Sequence, residues 1–165
     1  MTATTETLHR TTVESPIGPL TITASERGIR SILWPDDQRP IEAGGTVSSA
    51  PVLEEAARQL AEYFAGERTT FDLPLDAVGT SFQRQAWDVL RTIPYGSTMT
   101  YGEQAARLGD RNKARAVGAA NGRNPISIVV PCHRVVGSTG ALTGFAGGLD
   151  TKAWLLTHEQ RSRNE

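Results

Sequence analysis

Cys132 is the only cysteine in the chain, and His133 follows it directly. A lone cysteine is commonly a buried, inert small hydrophobe. An adjacent imidazole changes that, because it can take the thiol proton and leave a thiolate, a soft and strong nucleophile. On an extended segment neighbouring side chains point to opposite faces. His133 therefore needs a bend or a bridging water to reach Cys132. The imidazole also needs an acceptor to orient it. Glu159 is a candidate, and Asp88, Glu103, Asp110, Asp150 and Glu165 compete with it on spacing alone. A single cysteine excludes an intrachain disulfide framework and a multi-cysteine metal site. With three histidines only (His9, His133 and His158), no structural zinc or other metal is expected.

Elements of the second half must hold this pair. Thr80 or Ser81 can cap a helix with Phe82, Ala86, Val89, Leu90 and Ile93 on one face, ended by Pro94-Tyr95-Gly96. Thr100-Tyr101-Gly102-Glu103 has the capping-box form, which predicts a helix from Tyr101 to about Gly109. A further helix is expected from near Lys113 to Asn124-Pro125. Two short helices joined by a tight turn have helix-turn-helix form. Ile126–Val130 is a continuous apolar run, expected as a buried strand or extended segment leading into Pro131-Cys132-His133-Arg134. Gly137–Gly148 carries five glycines, a loop with unusual backbone freedom. Asp150 is expected to cap a last helix bearing Trp154, Leu155 and Leu156 and reaching Glu159.

The first half has a different character. Thr11–Ser15 and Leu20–Ala24 read as strands around the Pro16-Ile17-Gly18-Pro19 turn, with a third strand over Ile29–Trp34. Asp36–Ser49 reads as a surface loop. Leu53, Ala56, Ala57, Leu60, Ala61 and Phe64 form one apolar stripe of a helix that stops at Gly66. Thr70–Leu75 alternates like a strand, and Pro74 favours a sheet edge.

The net charge of −1 hides an asymmetry. Residues 1–78 hold six basic and twelve acidic side chains, net −6, and residues 79–165 hold eleven and six, net +5. Arg107, Arg111, Lys113, Arg115, Arg123 and Arg134 face Asp110 alone over residues 107–134. Such a block suggests a polyanion-binding face, although a solvated helix face has the same charge pattern. The 165 residues, 38% hydrophobic and 21% charged, suit a folded chain of one compact domain or two small ones. The break in character puts the boundary after Val78, giving domains over 1–78 and 79–165. No apolar run approaches a membrane span, and Met1–Thr12 lacks the pattern of an export signal. A cytoplasmic, reducing location is expected, with no membrane partner.

Pro131-Cys132-His133-Arg134-Val135 resembles the active-site signature of the O6-alkylguanine-DNA alkyltransferases. Arg115-Ala116-Val117-Gly118, Asn124-Pro125, Gly147-Gly148-Leu149 and the run Lys152–Glu159 sit at that family's spacings from the cysteine. The likeness is strong over residues 80–160 and weaker over 1–78, where Ser15–Leu20 is similar to the family's first hairpin. The resemblance implies an α/β, ribonuclease-H-like N-terminal domain. It also implies a mainly α C-terminal domain with a winged-helix-type helix-turn-helix.

The implied activity is irreversible, single-use transfer of an alkyl group from O6-alkylguanine, and from O4-alkylthymine, to Cys132. The implied partner is double-stranded DNA bound through its minor groove, by a monomer and without a cofactor. In this reading His133 deprotonates Cys132 through a water, Glu159 orients His133, and Asn124 braces the loop around the cysteine. Tyr101 donates toward N3 of the flipped guanine. Carbonyls of Cys132 and Val135 read the guanine amine, and the backbone N–H of Ala146 contacts O6. Arg115 fills the gap left by the extruded nucleotide. Ala114, Gly118, Ala119, Asn121 and Arg123 join it on the DNA-reading helix, Ala114–Gly122. Val135, Phe145, Ala146 and Lys152 line the base pocket. Ala146 stands where many relatives carry serine, and Phe145 where tyrosine is frequent.

The chemistry fits these roles. An alkyl group on guanine oxygen is an sp3 carbon, which calls for a soft nucleophile approaching in line. The target atom is inaccessible in a duplex, so the base must flip out. Three rivals explain less. A non-catalytic lesion binder of the alkyltransferase-like kind lacks the acceptor cysteine, a helix-turn-helix regulator leaves Cys-His unexplained, and a turnover cysteine hydrolase needs a hydrolysable intermediate that a thioether is not.

Overall fold

The structure, a computed structural model, describes residues 7–35, 37, 46–48, 50–142, 145 and 147–163, the last by its backbone only. Its first half is a four-stranded sheet in the order β3-β2-β1-β4, with β1 His9–Val13, β2 Leu20–Ser25, β3 Gly28–Leu33 and β4 Thr46–Val47. β1 and β2 are antiparallel with Thr11 opposite Ile22, and β4 runs parallel to β1. β1 lies earlier than the expected 11–15 because Ser15 belongs to the turn. The Ser15 carbonyl accepts the Gly18 N–H at 3.0 Å, and Gly18 takes a left-handed φ of 102°. The expected loop over 36–49 contains β4, and residues 36, 38–45 and 49 lie outside the described residues.

Helix α1, Pro51–Phe64, covers the sheet. It buries Leu53, Ala56, Gln59, Leu60 and Tyr63, whereas Ala61 is exposed. The buried face is thus rotated from the expected stripe toward Gln59 and Tyr63. Each fully buried leucine on it stabilises the fold by about 1.5–3 kcal/mol. The Gln59 amide accounts for its own burial: it donates to the Asp72 carbonyl and accepts the Asp72 N–H. That contact anchors residues 70–76, which form no strand. They make one parallel bridge, Leu75 to Ile29. Proline 74 has no N–H to extend the ladder. Its carbonyl packs so closely on Gly28 that a Cβ there would lie 2.4 Å away.

Among the described residues the second half carries four α-helices. α2, Ser81–Leu90, is capped by Thr80 in a full capping box with Gln83 and buries Ala86, Trp87 and Leu90. Trp87 exceeds the expected stripe because its indole N–H donates to the Ala120 carbonyl at 2.8 Å. The predicted box of Thr100 and Glu103 starts α3, Tyr101–Arg107. A 3-10 turn, Arg111–Lys113, leads into α4, Ala114–Gly122. α3 and α4 form the expected helix pair. Two short parallel strands, β5 Met99–Thr100 and β6 Val135–Val136, pair Met99 with Val135.

The last helix, α5, runs Leu149–Arg163, so Asp150 lies in its first turn rather than at its cap. No helix among the described residues is long and apolar enough to cross a membrane. One buried cluster joins Leu20, Ile22, Ile32, Leu53 and Leu60 to Leu90, Ile93, Ile126, Cys132, Val135 and Leu155. The core is therefore continuous across the expected boundary after Val78.

Candidate active site around Cys132 and His133

The apolar run Ile126–Val130 is buried as expected, but it is a tight turn and not a strand. Ile128 has a φ of 73°, and the Val130 N–H returns to the Ile126 carbonyl at 3.0 Å. Asn124 makes this turn possible. Its amide donates to the Val130 carbonyl at 2.7 Å and accepts the Ile126 N–H at 3.0 Å, so one buried side chain ties both ends. From the other side, Ile32 of β3 donates its N–H to the Pro125 carbonyl at 2.9 Å. The loop that delivers Cys132 is thus fixed by Asn124 and by the sheet.

Cys132–Arg134 then forms a 3-10 turn. Side chains in such a turn diverge by about a third of a revolution, which removes the opposed geometry of an extended pair. Cys132 is 9% exposed and His133 and Glu159 are fully buried. His133 Nε2 lies 2.7 Å from Glu159 Oε2. Of the candidate acceptors among the described residues, Glu159 on α5 is the one that reaches the imidazole, and Glu165 lies outside those residues.

Arg134 completes the arrangement. Its Nε and Nη2 donate to the two Glu159 oxygens at 2.8 and 3.0 Å, and its Nη1 donates to the Ile93 carbonyl at 2.8 Å. Arg134 is only 7% exposed, so it leaves the cationic block and does not offer its charge to a polyanion. The sequence assigned it to that block because a guanidinium beside four other arginines and a lysine looks solvated. The signal that could have found its role is burial: a cation inside an apolar stretch must have a partner. Tyr63 of α1 was also missed. Its hydroxyl donates to Glu159 Oε2 at 2.6 Å.

Electrostatics set the protonation states. Burial alone would raise the Glu159 carboxyl, but hydrogen bonds and charge from His133 and Arg134 outweigh it and hold the group well below the usual carboxylate range. Burial pushes the His133 imidazole below its ordinary 6.5 despite the Glu159 carboxylate. A neutral imidazole facing an acceptor-only carboxylate carries its proton on Nε2. The lone pair is then on Nδ1, which has no protein hydrogen-bond partner among the described residues. This is the state a general base requires.

Tyr101 and Phe145 gather around Lys152, which lies near the cysteine. Lys152 is fully buried, with Nζ 5.8 Å from the centre of the Tyr101 ring and 5.9 Å from that of Phe145. Burial lowers the Lys152 pKa, and the nearby Cys132 charge opposes that shift. Gly118 of α4 faces Tyr101, and a Cβ there would sit in ordinary contact with the ring at 3.7 Å, so this approach does not depend on the glycine. The ring of Trp34, from the first half, packs 5.4 Å from Phe145. A Cβ at Gly147 would come within 2.9 Å of Trp34, so the glycine there permits close packing of the loop. Val135 is buried in β6, and its N–H donates to the Cys132 carbonyl. Ala146 lies outside the described residues.

α4 turns Arg115, Ala116, Ala119, Gly122 and Arg123 outward, while Ala114 and Gly118 are half-buried. Exposed small residues let the helix backbone come close to a partner, and the two arginines supply charge. Asn121 corrects one expectation. It is buried, and its amide exchanges hydrogen bonds of 2.9 and 2.8 Å with Gln104 of α3. Its side chain fastens the helix pair and is not presented to solvent. Arg107, Arg111 and Lys113 remain exposed beside this face.

Both halves of the chain are similar to known proteins. The family model for the 6-O-methylguanine DNA methyltransferase DNA binding domain matches residues 81–161, and that for the ribonuclease-like domain matches residues 8–77. A methylated-DNA–protein-cysteine methyltransferase of Methanosarcina acetivorans is 48% identical over 147 residues, covering 88% of this chain and 94% of that protein. One from Mycolicibacterium paratuberculosis is 49% identical over 150 residues, 91% of each. The crystal structure of Mycobacterium tuberculosis OGT in complex with DNA superposes with a TM-score of 0.86 at 44% identity, covering 93% of this chain and 94% of that one. The mixed α/β first half and helical second half correspond to those two domains, and the chain belongs to the 6-O-methylguanine DNA methyltransferase family.

Proposed function

We propose that this protein reverses O6-alkylguanine damage in duplex DNA by moving the alkyl group onto the Cys132 sulfur. The observation that carries this reading is the buried His133, held through Nε2 by Glu159 with Nδ1 unpartnered, next to the chain's single cysteine. His133 takes the thiol proton through a bridging water. The thiolate attacks the alkyl carbon, the S–C bond forms, and the C–O6 bond breaks. Its electron pair passes into the guanine ring, which takes a proton at N3 from the Tyr101 hydroxyl. The carbonyls of Cys132 and Val135 read the guanine amine. O4-alkylthymine offers the same sp3 carbon on a ring oxygen.

The product is a thioether, which is neither acidic nor acylated, so no water or imidazole regenerates the thiolate. No second cysteine is present to take the group on. The expected result with a duplex carrying one O6-methylguanine is a mass gain of one methylene on Cys132. Repair should stop at one lesion per protein molecule. Continued turnover would refute the reading and favour a hydrolase, and loss of the lesion without a mass gain would refute transfer.

For the DNA face, the reading has α4 in the minor groove with Arg115 filling the space of the extruded nucleotide. Unstacking a base costs a few kcal/mol, and a wedge is needed only when there is a stack to break. Arg115→Ala should therefore slow repair in duplex DNA about tenfold to a hundredfold, while reaction with a free O6-alkylguanine base stays near wild type. Rate constants on the two substrates check this, and equal losses would remove the wedge role.

A further inference from the structure

Glu159 Oε2 receives three donors: His133 Nε2 at 2.7 Å, Arg134 Nη2 at 3.0 Å and the Tyr63 hydroxyl at 2.6 Å. The third comes from α1, ninety-six residues away in sequence and in the half that carries neither the cysteine nor the helix pair. The Tyr63 side chain is fully buried. Its backbone carbonyl accepts from His158 Nε2 at 2.7 Å, and its ring packs edge-on to Phe64, Tyr95 and His158. Nothing in this packing needs the hydroxyl. A phenylalanine would fill the same apolar space.

We propose that Tyr63 is a positioning residue of the alkyl-transfer site, whose buried hydroxyl shares the Glu159 carboxylate and so limits how strongly that carboxylate draws the proton onto His133. The proposal rests on the reading of Cys132 and His133 as acceptor and base.

An ionised oxygen divides its charge among its donors, and a strong third donor weakens the hold on the other two. Among the described residues, the titratable groups facing His133 and Tyr63 are few. They are Glu159 and Lys152 of α5, Cys132 and Arg134 of the 3-10 turn, Tyr95 after α2, and His158, which stacks beside the Tyr63 ring. Among them Glu159 alone bonds both side chains. Burial and the Glu159 charge push the Tyr63 phenol well above its ordinary range, so it remains a donor wherever the protein is folded. Removing the hydroxyl concentrates the Oε2 charge on His133. The imidazole then protonates more readily, and Nδ1 loses its lone pair at a higher pH. The first half of the chain thereby helps to set the protonation of a base in the second.

The test follows transfer to Cys132 by intact-protein mass, using the full chain and a free O6-alkylguanine base, so that DNA binding does not enter. Rate constants are taken between about pH 5 and pH 9, the range in which an imidazole titrates. Tyr63→Phe should move the acid limb of the profile upward by roughly half a unit or more, with the plateau little changed. A 3-fluorotyrosine placed at position 63 alone is a stronger donor of almost the same shape, and it should move the limb downward. A limb that stays in place in both proteins overturns the proposal, even if Tyr63→Phe melts at a lower temperature. If Tyr63→Phe does not fold, the fluorotyrosine protein decides by itself, because it keeps ring and hydroxyl. A wild-type chain that takes no alkyl group on Cys132 overturns the underlying reading and this one together. Alkylation of wild type with unmoved limbs overturns this one alone.

Discussion

Cys132→Ser is expected to lose alkyl transfer by more than about a thousandfold while keeping its affinity for undamaged duplex. The hydroxyl ionises near water, roughly seven units above a free thiol, and a neutral oxygen is a weak nucleophile toward an sp3 carbon. His133 cannot make up that difference. Its Nδ1 accepts a proton only as strongly as a buried, neutral imidazole can, and its Nε2 is already committed to Glu159. Binding should survive because Cys132 is buried behind the loop closed by Asn124, whereas Arg115, Ala119 and Arg123 are on the outer face of α4. Serine is close to cysteine in size, so the turn Cys132–Arg134 should keep its shape. The checks are intact-protein mass after incubation with an O6-methylguanine duplex and a gel-shift titration with unmodified DNA. Serine at wild-type speed would mean that the nucleophile is not Cys132. Loss of DNA binding along with transfer would mean that the site and the binding face are one surface.

Much of this site is legible in the sequence. The capping signals of Thr80 and Thr100 located two helix starts, because a cap is a local hydrogen-bond pattern readable from four residues. Cys132 and His133 stood out because their chemistry needs no partner to be recognised. What the sequence hid were long-range satisfactions of buried polar groups. Residues 126–130 read as a strand by apolarity, yet they turn because the Asn124 amide offers hydrogen bonds that a strand would take from a neighbour. Asn121 read as a DNA contact by its place on the helix, yet its register puts it against Gln104. Arg134 read as a surface cation, and Tyr63 as nothing at all. Ala56, Leu60 and Tyr63 do recur at helical spacing on α1, and a phenol at the end of an apolar stripe is a polar tip that must find an acceptor when buried. Which acceptor it finds depends on how α1 and α5 pack, and no local pattern encodes that.

The Glu159 carboxylate is where those hidden contacts meet, so Glu159→Gln should have the largest effect on stability of any single isosteric change. Every group facing the carboxylate is a donor: Arg134 Nε and the Gly96 N–H at Oε1, and His133, Tyr63 and Arg134 Nη2 at Oε2. A glutamine amide brings two more donors to one side, whichever way it turns. It also leaves the buried Arg134 charge without a counter-ion. Breaking a buried, hydrogen-bonded ion pair by removing one partner costs about 3–5 kcal/mol, a large share of the 5–15 kcal/mol that holds a typical domain. The effect should depend on pH with a definite sign. The Glu159 pKa is depressed in the folded state relative to its ordinary 4.5. Its contribution is therefore fully present above that value and is lost as the pH falls toward the folded pKa. The gap in stability between wild type and Glu159→Gln should accordingly be widest near neutral pH and should narrow below about pH 4.5. Urea unfolding of both proteins at a series of pH values measures the gap. Transfer should fall as well, because the imidazole loses the carboxylate that holds its proton on Nε2 and its lone pair on Nδ1. A gap that is constant with pH would show that the lost stability comes from packing and not from the carboxylate charge. Wild-type transfer by a folded Glu159→Gln protein would show that His133 needs no anchor on α5.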